Sequence, residues 1–115
     1  MMQIKGVRNL MPLPVAIPVP HGEIGFAPEE GPVPQVREII VQSGFLEIGG
    51  SRIPLWERWG GVEGLSALEP GVVYIVPPSV AAQIKHPWVV APHEPTMDDR
   101  GRVIRCRGFV RIISP

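Results

Sequence analysis

Proline and glycine restrict this chain more than any other feature of its sequence. Among 115 residues there are 15 prolines and 13 glycines, about twice their usual share. They are spread between apolar segments instead of forming one tract. Proline cannot donate inside a sheet ladder, and it breaks helices. The sequence therefore predicts a mainly β fold of short strands, a small barrel or sandwich, in a single domain over residues 1–115.

Apolar runs between these breaks predict the strands. Val36–Gln42 is rich in β-branched residues, and Gly49 and Gly50 lie between two further apolar runs as in a hairpin turn. Val15–Val19 is predicted to be an edge strand or an extended segment, because prolines surround it. The glycine-rich stretch Arg58–Leu68 is predicted to be a loop.

One segment predicts a helix. Pro78 suits a first helical turn, because its missing N–H would be unpaired there. Val80, Ala81 and Ile84 follow at helical spacing. We therefore expect one short α-helix near residues 78–85.

The final segment, residues 102–113, predicts one long strand. Because side chains alternate across a strand, the core would receive Ile104, Cys106, Val110 and Ile112. The opposite face would carry three guanidinium groups, those of Arg105, Arg107 and Arg111. Alternate residues of a strand are roughly 6.5–7 Å apart, which lets two such groups hold one phosphate or carboxylate. The alternative is a solvated face whose arginines neutralise nearby glutamates.

A second cluster joins aromatic and basic side chains. Trp56, Arg58 and Trp59 lie close together in the sequence beside glycines, and such side chains can stack on a base or sugar. The alternative is that both tryptophans belong to the core or to a subunit interface. For an anionic, nucleotide-like ligand the predicted binding residues are Arg105, Arg107, Arg111, Arg58, Trp56 and Trp59.

Residues suited to catalysis or metal binding are sparse. His21, His86 and His93 are far apart, with none of the spacings typical of a zinc site. Cys106 is the only cysteine, which excludes a disulfide within one chain. No serine lies in a nucleophile-elbow motif, and no Walker loop occurs. We expect no enzyme, no cofactor and no metal site, with a small hydrolase as the catalytic alternative.

Charge and hydropathy narrow the choice of partners. The formal net charge is zero, whereas a general nucleic-acid binder carries a basic excess. No apolar run approaches the roughly 20 residues that cross a bilayer, and the first ten residues lack the apolar core of a signal peptide. We expect a cytoplasmic protein without membrane contact. Proline-rich loops and a single asparagine are typical of a thermophilic source, and a GC-rich genome gives the same bias.

Several segments together resemble a known family. They run through most of the chain, as Arg8–Val15, Gly61–Leu65, Glu69–Val76, Val80–Ala81, Val90–Pro92, Asp99–Ile104 and Cys106–Phe109. In these segments the chain resembles a family of small uncharacterised proteins of bacteriophages and bacteria, whose N-terminal motif is N-L-T-P-H-x-V. Met11 and Leu13 stand where that family has Thr and His, and Arg105 stands where it has Gly. The resemblance implies no particular activity.

Two functional hypotheses follow. The first is a non-enzymatic accessory protein of phage type that binds an anionic small molecule or a host partner through the arginine face, in the host cytoplasm. The second is a virion or assembly protein that acts through subunit contacts of Trp56, Trp59 and the proline-rich N-terminal segment. Both predict a homo-oligomer, and both rest on analogy rather than on a motif.

Overall fold

The length of each strand follows the distribution of proline. The computed structural model describes residues 4–65 and 67–112. Its two longest strands lie between Pro34 and Pro70, where Pro54 is the only proline. Elsewhere prolines recur often, and the strands have two to five residues.

Ten strands and one helix lie within the described residues. Their bounds are β1 Gly6–Asn9, β2 Val15–Val19, β3 Gly22–Phe26, β4 Gln35–Ile48, β5 Ser51–Glu63, β6 Val72–Ile75, α1 Pro78–Ile84, β7 Val89–His93, β8 Thr96–Met97, β9 Ile104–Arg105 and β10 Gly108–Val110. The prediction of a mainly β fold with one short helix is confirmed.

The strands form three open sheets in the part of the chain that the structure describes. The first has the order β1-β6-β7-β10, with β1, β6 and β7 parallel and β10 antiparallel to β7. The second has the order β3-β2-β9-β8. The third contains only β4 and β5. Of the two predicted architectures, a stack of open sheets fits the structure and a closed barrel does not.

Two clusters of buried side chains cover the two faces of the first sheet. One lies between this sheet and α1, and contains Val72, Tyr74, Val76, Val80, Ala81, Val89 and Ala91. The other lies between the first and second sheets, and contains Val15, Ile75, Val90, Ile104 and Cys106. Because side chains alternate along β6, neighbouring residues of this strand join different clusters. The first sheet is therefore the middle layer of the body.

Helix α1 connects the parallel strands β6 and β7. Pro78 begins it, and Lys85 ends it in the left-handed conformation, with φ 52° and its N–H donated to the Ala81 carbonyl at 3.0 Å. Val80 and Ala81 are buried against the first sheet. A helix of seven residues is unstable alone, so this packing holds it in place.

The final segment differs from the prediction of one strand over residues 102–113. β9 pairs with β2 and β8 in the second sheet, whereas β10 pairs with β7 in the first. The chain crosses between the two sheets at Cys106 and Arg107. The predicted alternation holds up to this crossing. Beyond it, Ile112 packs against a buried cluster as predicted, whereas Val110 is exposed and Phe109 packs against the core instead.

The prediction of an edge position for Val15–Val19 is also wrong. β2 lies inside the second sheet, with β3 on one side and β9 on the other. β9 pairs only with Val15 and Ala16. Pro18 therefore lies beyond that pairing, and its missing N–H interrupts no ladder on that side.

The predicted loop over Arg58–Leu68 is wrong in its first half. β5 continues to Glu63, with Gly60 and Gly61 inside the strand. β4 and β5 thus form one long hairpin, which turns at Gly49 and Gly50 as predicted. Both turn residues have positive φ, 60° and 82°, as a type I′ turn requires.

This hairpin gives the molecule an elongated shape. The radius of gyration is 18.8 Å, whereas a compact chain of this length has about 13 Å. The principal extents are 69 × 36 × 26 Å. We call residues 35–63 the arm and the rest of the chain the body.

Candidate functional site

Arg105 and Arg107 lie on either side of the inward-facing Cys106. Cys106 is buried, and its thiol lies 3.9 Å from the Ala16 carbonyl oxygen. Both arginines point outward and line an open cleft of about 450 Å³. The remaining lining residues are Pro18, Glu23, Glu94, Thr96 and Cys106. The structure thus brings two of the predicted ligand-binding arginines to one cleft.

Each of these two arginines has a carboxylate partner in the cleft. Arg105 donates a hydrogen bond to Glu23, and Arg107 donates one to Glu94 at 3.2 Å. All four side chains are exposed to solvent, and exposed ion pairs contribute little to stability. The pairs nevertheless neutralise the cleft, so an anion would have to displace two glutamates. This arrangement matches the alternative of a solvated, neutralised face.

The alternative of neutralising glutamates was predicted, but not which glutamates they are. Glu23 is 82 residues from Arg105 along the chain, and they meet because β3 and β9 flank β2. Glu94 reaches Arg107 because β10 pairs with β7, which ends just before Glu94. The order of the strands brings these charges together, and no local sequence motif predicts that order.

The other four predicted ligand residues do not line this cleft. Arg111 lies beyond the end of β10 and is exposed. Trp56, Arg58 and Trp59 lie on β5, in the arm. The cluster of six predicted from the sequence is therefore divided between the body and the arm.

The two faces of the arm differ in chemistry. Residues that pair directly across a hairpin share a face, and the register of β4 and β5 defines two sets. One set, which we call the outer face, carries seven exposed apolar side chains: Ile39, Val41, Leu46, Ile48, Ile53, Leu55 and Trp59. Glu57 is its only charged residue away from the base of the arm, where Arg37 and Glu63 pair at 3.4 Å.

The opposite face, which we call the inner face, mixes apolar and charged groups. Its exposed apolar side chains are Ile40, Phe45 and Trp56. Glu38 pairs with Arg58 at 3.6 Å, and the Arg52 guanidinium lies 4.3 Å from the centre of the Phe45 ring. Charged groups therefore cover part of the inner face.

The inner face also holds the arm to the body. Val36 and Val62, at its base, pack against the cluster under α1. A Cβ on Gly60 would lie 3.9 Å from the Gln83 side chain, so α1 approaches the strand closely at this glycine. The base of the outer face is therefore directed away from the helix.

Both edges of the arm are poor templates for an added strand. A two-residue turn makes Ile48 and Ser51 a hydrogen-bonded pair, and pair types alternate from there. Pro54, opposite Phe45, falls at a non-hydrogen-bonded position, where an ordinary residue would present its N–H to the open edge. On the other strand, Ser43 is the extra residue of a bulge. Proline and bulges both discourage edge pairing.

Both tryptophans are largely exposed. Trp56 is 59% exposed and Trp59 is 63% exposed. Of the two alternatives to a stacking site, burial in the core of this chain is thus wrong. The subunit-interface alternative stays a prediction, because a single chain does not test it.

Comparison of the chain with protein-family models, with curated proteins and with solved structures finds no match. The resemblance to a phage and bacterial family therefore stays a prediction. Among residues 4–65 and 67–112, no group of three or more His, Cys, Asp or Glu side chains is placed to hold a metal ion. The same residues include no helix long and apolar enough to cross a membrane.

Proposed function

We propose that this chain is a non-enzymatic assembly protein whose arm makes the contacts between subunits. The observation that carries the proposal is the outer face, where seven large apolar side chains are exposed together. Soluble monomers rarely expose a contiguous apolar surface of this kind, and where they do it marks an interaction site. This is the second of the two hypotheses that the sequence suggested.

The arm also requires support that the body does not provide. An isolated two-stranded hairpin is marginally stable in water, and among the described residues this one packs on the body near its base, against α1 and the cluster beneath it. Covering a half-exposed side chain of this size contributes about 1 kcal/mol. Seven together offset much of the cost of association, which is about 4–15 kcal/mol. Assembly would therefore stabilise the arm as well as join the subunits.

Sedimentation equilibrium over a range of concentrations tests the proposal. We expect the average mass to rise with concentration. Trp59→Ala should raise the dissociation constant at least about ten-fold, since burying a side chain of this kind contributes roughly 1.5–3 kcal/mol. Ile24→Ala is the matched control, because Ile24 is exposed and apolar but lies on β3, in the body. A wild-type chain that stays monomeric throughout would exclude this function.

Anion binding is a second candidate, favoured by the fact that Arg105 and Arg107 line one cleft. A ligand that binds only the folded state raises the melting temperature. We expect a nucleotide to do so, and Arg105→Ala with Arg107→Ala to abolish the rise. Glu23→Gln with Glu94→Gln should enlarge it, because both competing carboxylates are then neutral. No rise in either wild type or the glutamine variant, across mono-, di- and cyclic nucleotides, would exclude this candidate.

The origin and setting of the protein stay predictions. They include a bacteriophage source, a thermophilic host, action in the cytoplasm and a host or virion protein as partner.

A further inference from the structure

We propose that the partner of each arm is the arm of a second copy, with the two outer faces in contact and the arms parallel about a two-fold axis. This inference rests on the proposed assembly function and names the surface and geometry through which it operates. Four observations support it: the edges of the arm that discourage strand pairing, the difference between its faces, the position of Glu57 and the area of the outer face.

The edges of the arm direct contact to its faces. Pro54 removes a donor from the open edge of β5, and the bulge at Ser43 disrupts the open edge of β4. The Ser43 hydroxyl donates to the Leu55 carbonyl at 3.4 Å, which turns one polar group of the bulge back into the hairpin. A continuous sheet through two arms is therefore disfavoured, and face-to-face packing remains.

Of the two faces, the outer one suits a copy of itself. The inner face packs on α1 at its base. Farther out, the side chains of Arg58 and Arg52 cover part of its surface. The outer face has no such contact and carries one charge, Glu57, along its apolar length. A surface that is apolar from Ile39 to Ile48 is complementary to a second surface of the same composition.

The position of Glu57 distinguishes the two ways of pairing identical outer faces. This face has seven rungs of paired residues, from Gln35 with Glu63 at the base to Ile48 with Ser51 at the tip. The fourth and middle rung is Val41 with Glu57. Antiparallel arms about a two-fold axis would superpose their middle rungs, with β5 over β5. The two Glu57 carboxylates would then meet where water is excluded, which is strongly unfavourable.

Parallel arms avoid this contact. A two-fold axis along the arms places each β4 over the β5 of the second copy and keeps every rung level with its counterpart. Glu57 then faces Val41 of the second copy, and it lies beside an open edge where its carboxylate can reach water. Leu55 of each copy lies over Gly44 of the other, so a large side chain meets the gap that a glycine leaves.

The available area suits a dimer of this kind. Fourteen residues at 3.4 Å per residue give an arm about 48 Å long, and two strands are about 10 Å wide. Each outer face thus offers roughly 480 Å², so that a pair covers about 1,000 Å² in total, the lower end of specific interfaces. We expect a reversible dimer rather than an obligate one.

Two adjacent isoleucines test the choice of face. Ile39 and Ile40 are 58% and 57% exposed, but Ile39 lies on the outer face and Ile40 on the inner face. We expect Ile39→Ser to raise the dissociation constant about ten-fold or more, and Ile40→Ser to change it less than about three-fold. Melting of the body, followed by circular dichroism, should be equal in the two variants, because neither residue belongs to its core.

A distance between the arm tips tests the orientation. A spin label on Glu47→Cys, in a Cys106→Ala background, lies near the tip on the inner face and leaves the contact free. Parallel arms place the two labels within about 30 Å of each other, whereas antiparallel arms add a separation of about 34 Å along the arm to the distance across it. Pulsed electron resonance measures this distance.

The outcomes separate this inference from the proposed function. Equal weakening by Ile39→Ser and Ile40→Ser, or distant labels in a chain that still associates, would overturn the paired arms and leave an assembly role through another contact. Failure of the wild-type chain to associate at all would remove the proposed function, and the paired arms with it.

Discussion

Asn9, the only asparagine of the chain, connects three parts of the body. Its side chain is almost fully buried and donates hydrogen bonds to the carbonyls of Leu13 and Phe26, both at 2.9 Å. Its Oδ1 accepts the N–H of Met11, also at 2.9 Å. This asparagine opens the motif on which the family resemblance begins, and its position in the structure gives that motif a structural role.

Replacement of Asn9 should therefore be costly. Asn9→Ala leaves two carbonyls and one N–H without their partners in a site closed to water, and we expect a loss of about 2–4 kcal/mol in the free energy of unfolding. Urea denaturation measures it, with His21→Ala in an exposed turn as the control. A loss no larger than that of the control would show that solvent replaces the asparagine.

Asp98 links the stability of the body to pH. Its carboxylate accepts the N–H groups of Arg102, at 2.5 Å, and Val103, at 3.2 Å, in the turn between β8 and β9. These hydrogen bonds, with Arg105 nearby, lower the pKa of Asp98 below its ordinary value of 3.8. A lowered pKa means that the stabilisation is complete above the ordinary value and disappears as the pH falls through the lowered one.

Asp98→Asn keeps the turn but removes the titrating charge. We expect wild type to exceed the variant in stability at neutral pH, and the difference to shrink only as the pH falls below about 4. Denaturation at several pH values measures this difference in stability. The contributions of the other carboxylates are the same in both proteins and cancel. A difference that is constant down to pH 2 would mean that the charge of Asp98 plays no part.

At the scale of the elements, local signals predicted the turns and the helix, but not which strands pair. Gly49 and Gly50 lie in the predicted hairpin turn, and Gly101, in the turn before β9, also has a positive φ, 65°. Glycines inside a long strand give no comparable signal, and for this reason the predicted loop over Arg58–Leu68 is wrong where β5 continues to Glu63. The crossing at Cys106 was missed because alternation reports the face of a strand and not the sheet to which it belongs.

The same substitution at two glycines should have opposite effects. At Gly101, alanine must adopt a positive φ, and we expect a loss of about 1–2 kcal/mol. At Gly60, the backbone is extended and a Cβ meets its nearest atoms at 3.8 and 3.9 Å, so alanine should stabilise by about 0.4–1 kcal/mol through the unfolded state. Thermal denaturation of both variants decides this, and a loss at Gly60 would mean that α1 needs more room.

At the scale of the whole molecule, the core and the arm are separate. Every member of the two buried clusters lies in the body, and the arm contributes only Val36 and Val62 at its base. The sequence predicted a subunit contact for Trp56 and Trp59 as one alternative, but it did not predict a projecting hairpin. Only the full register of β4 and β5 shows which apolar residues share a face.

The body should therefore fold without most of the arm. Replacing residues 40–58 by an Asn-Gly turn between Ile39 and Trp59, which form a hydrogen-bonded pair in the alternation described above, removes no core side chain. We expect this shortened chain to melt within a few degrees of wild type at low concentration, by circular dichroism, and to be monomeric. An unfolded shortened chain would show that the arm supports the body.

The arm has no hydrophobic core of its own, so on the proposed pairing its structural order depends on the concentration of the protein. If the arms pair as proposed, each arm gains stability by mass action as the protein concentration rises, while the body gains none. Dilution would then remove this stabilisation from the arm and leave the stability of the body unchanged. On the proposed pairing, the ordering of the hairpin and the association of two molecules would then be a single second-order reaction.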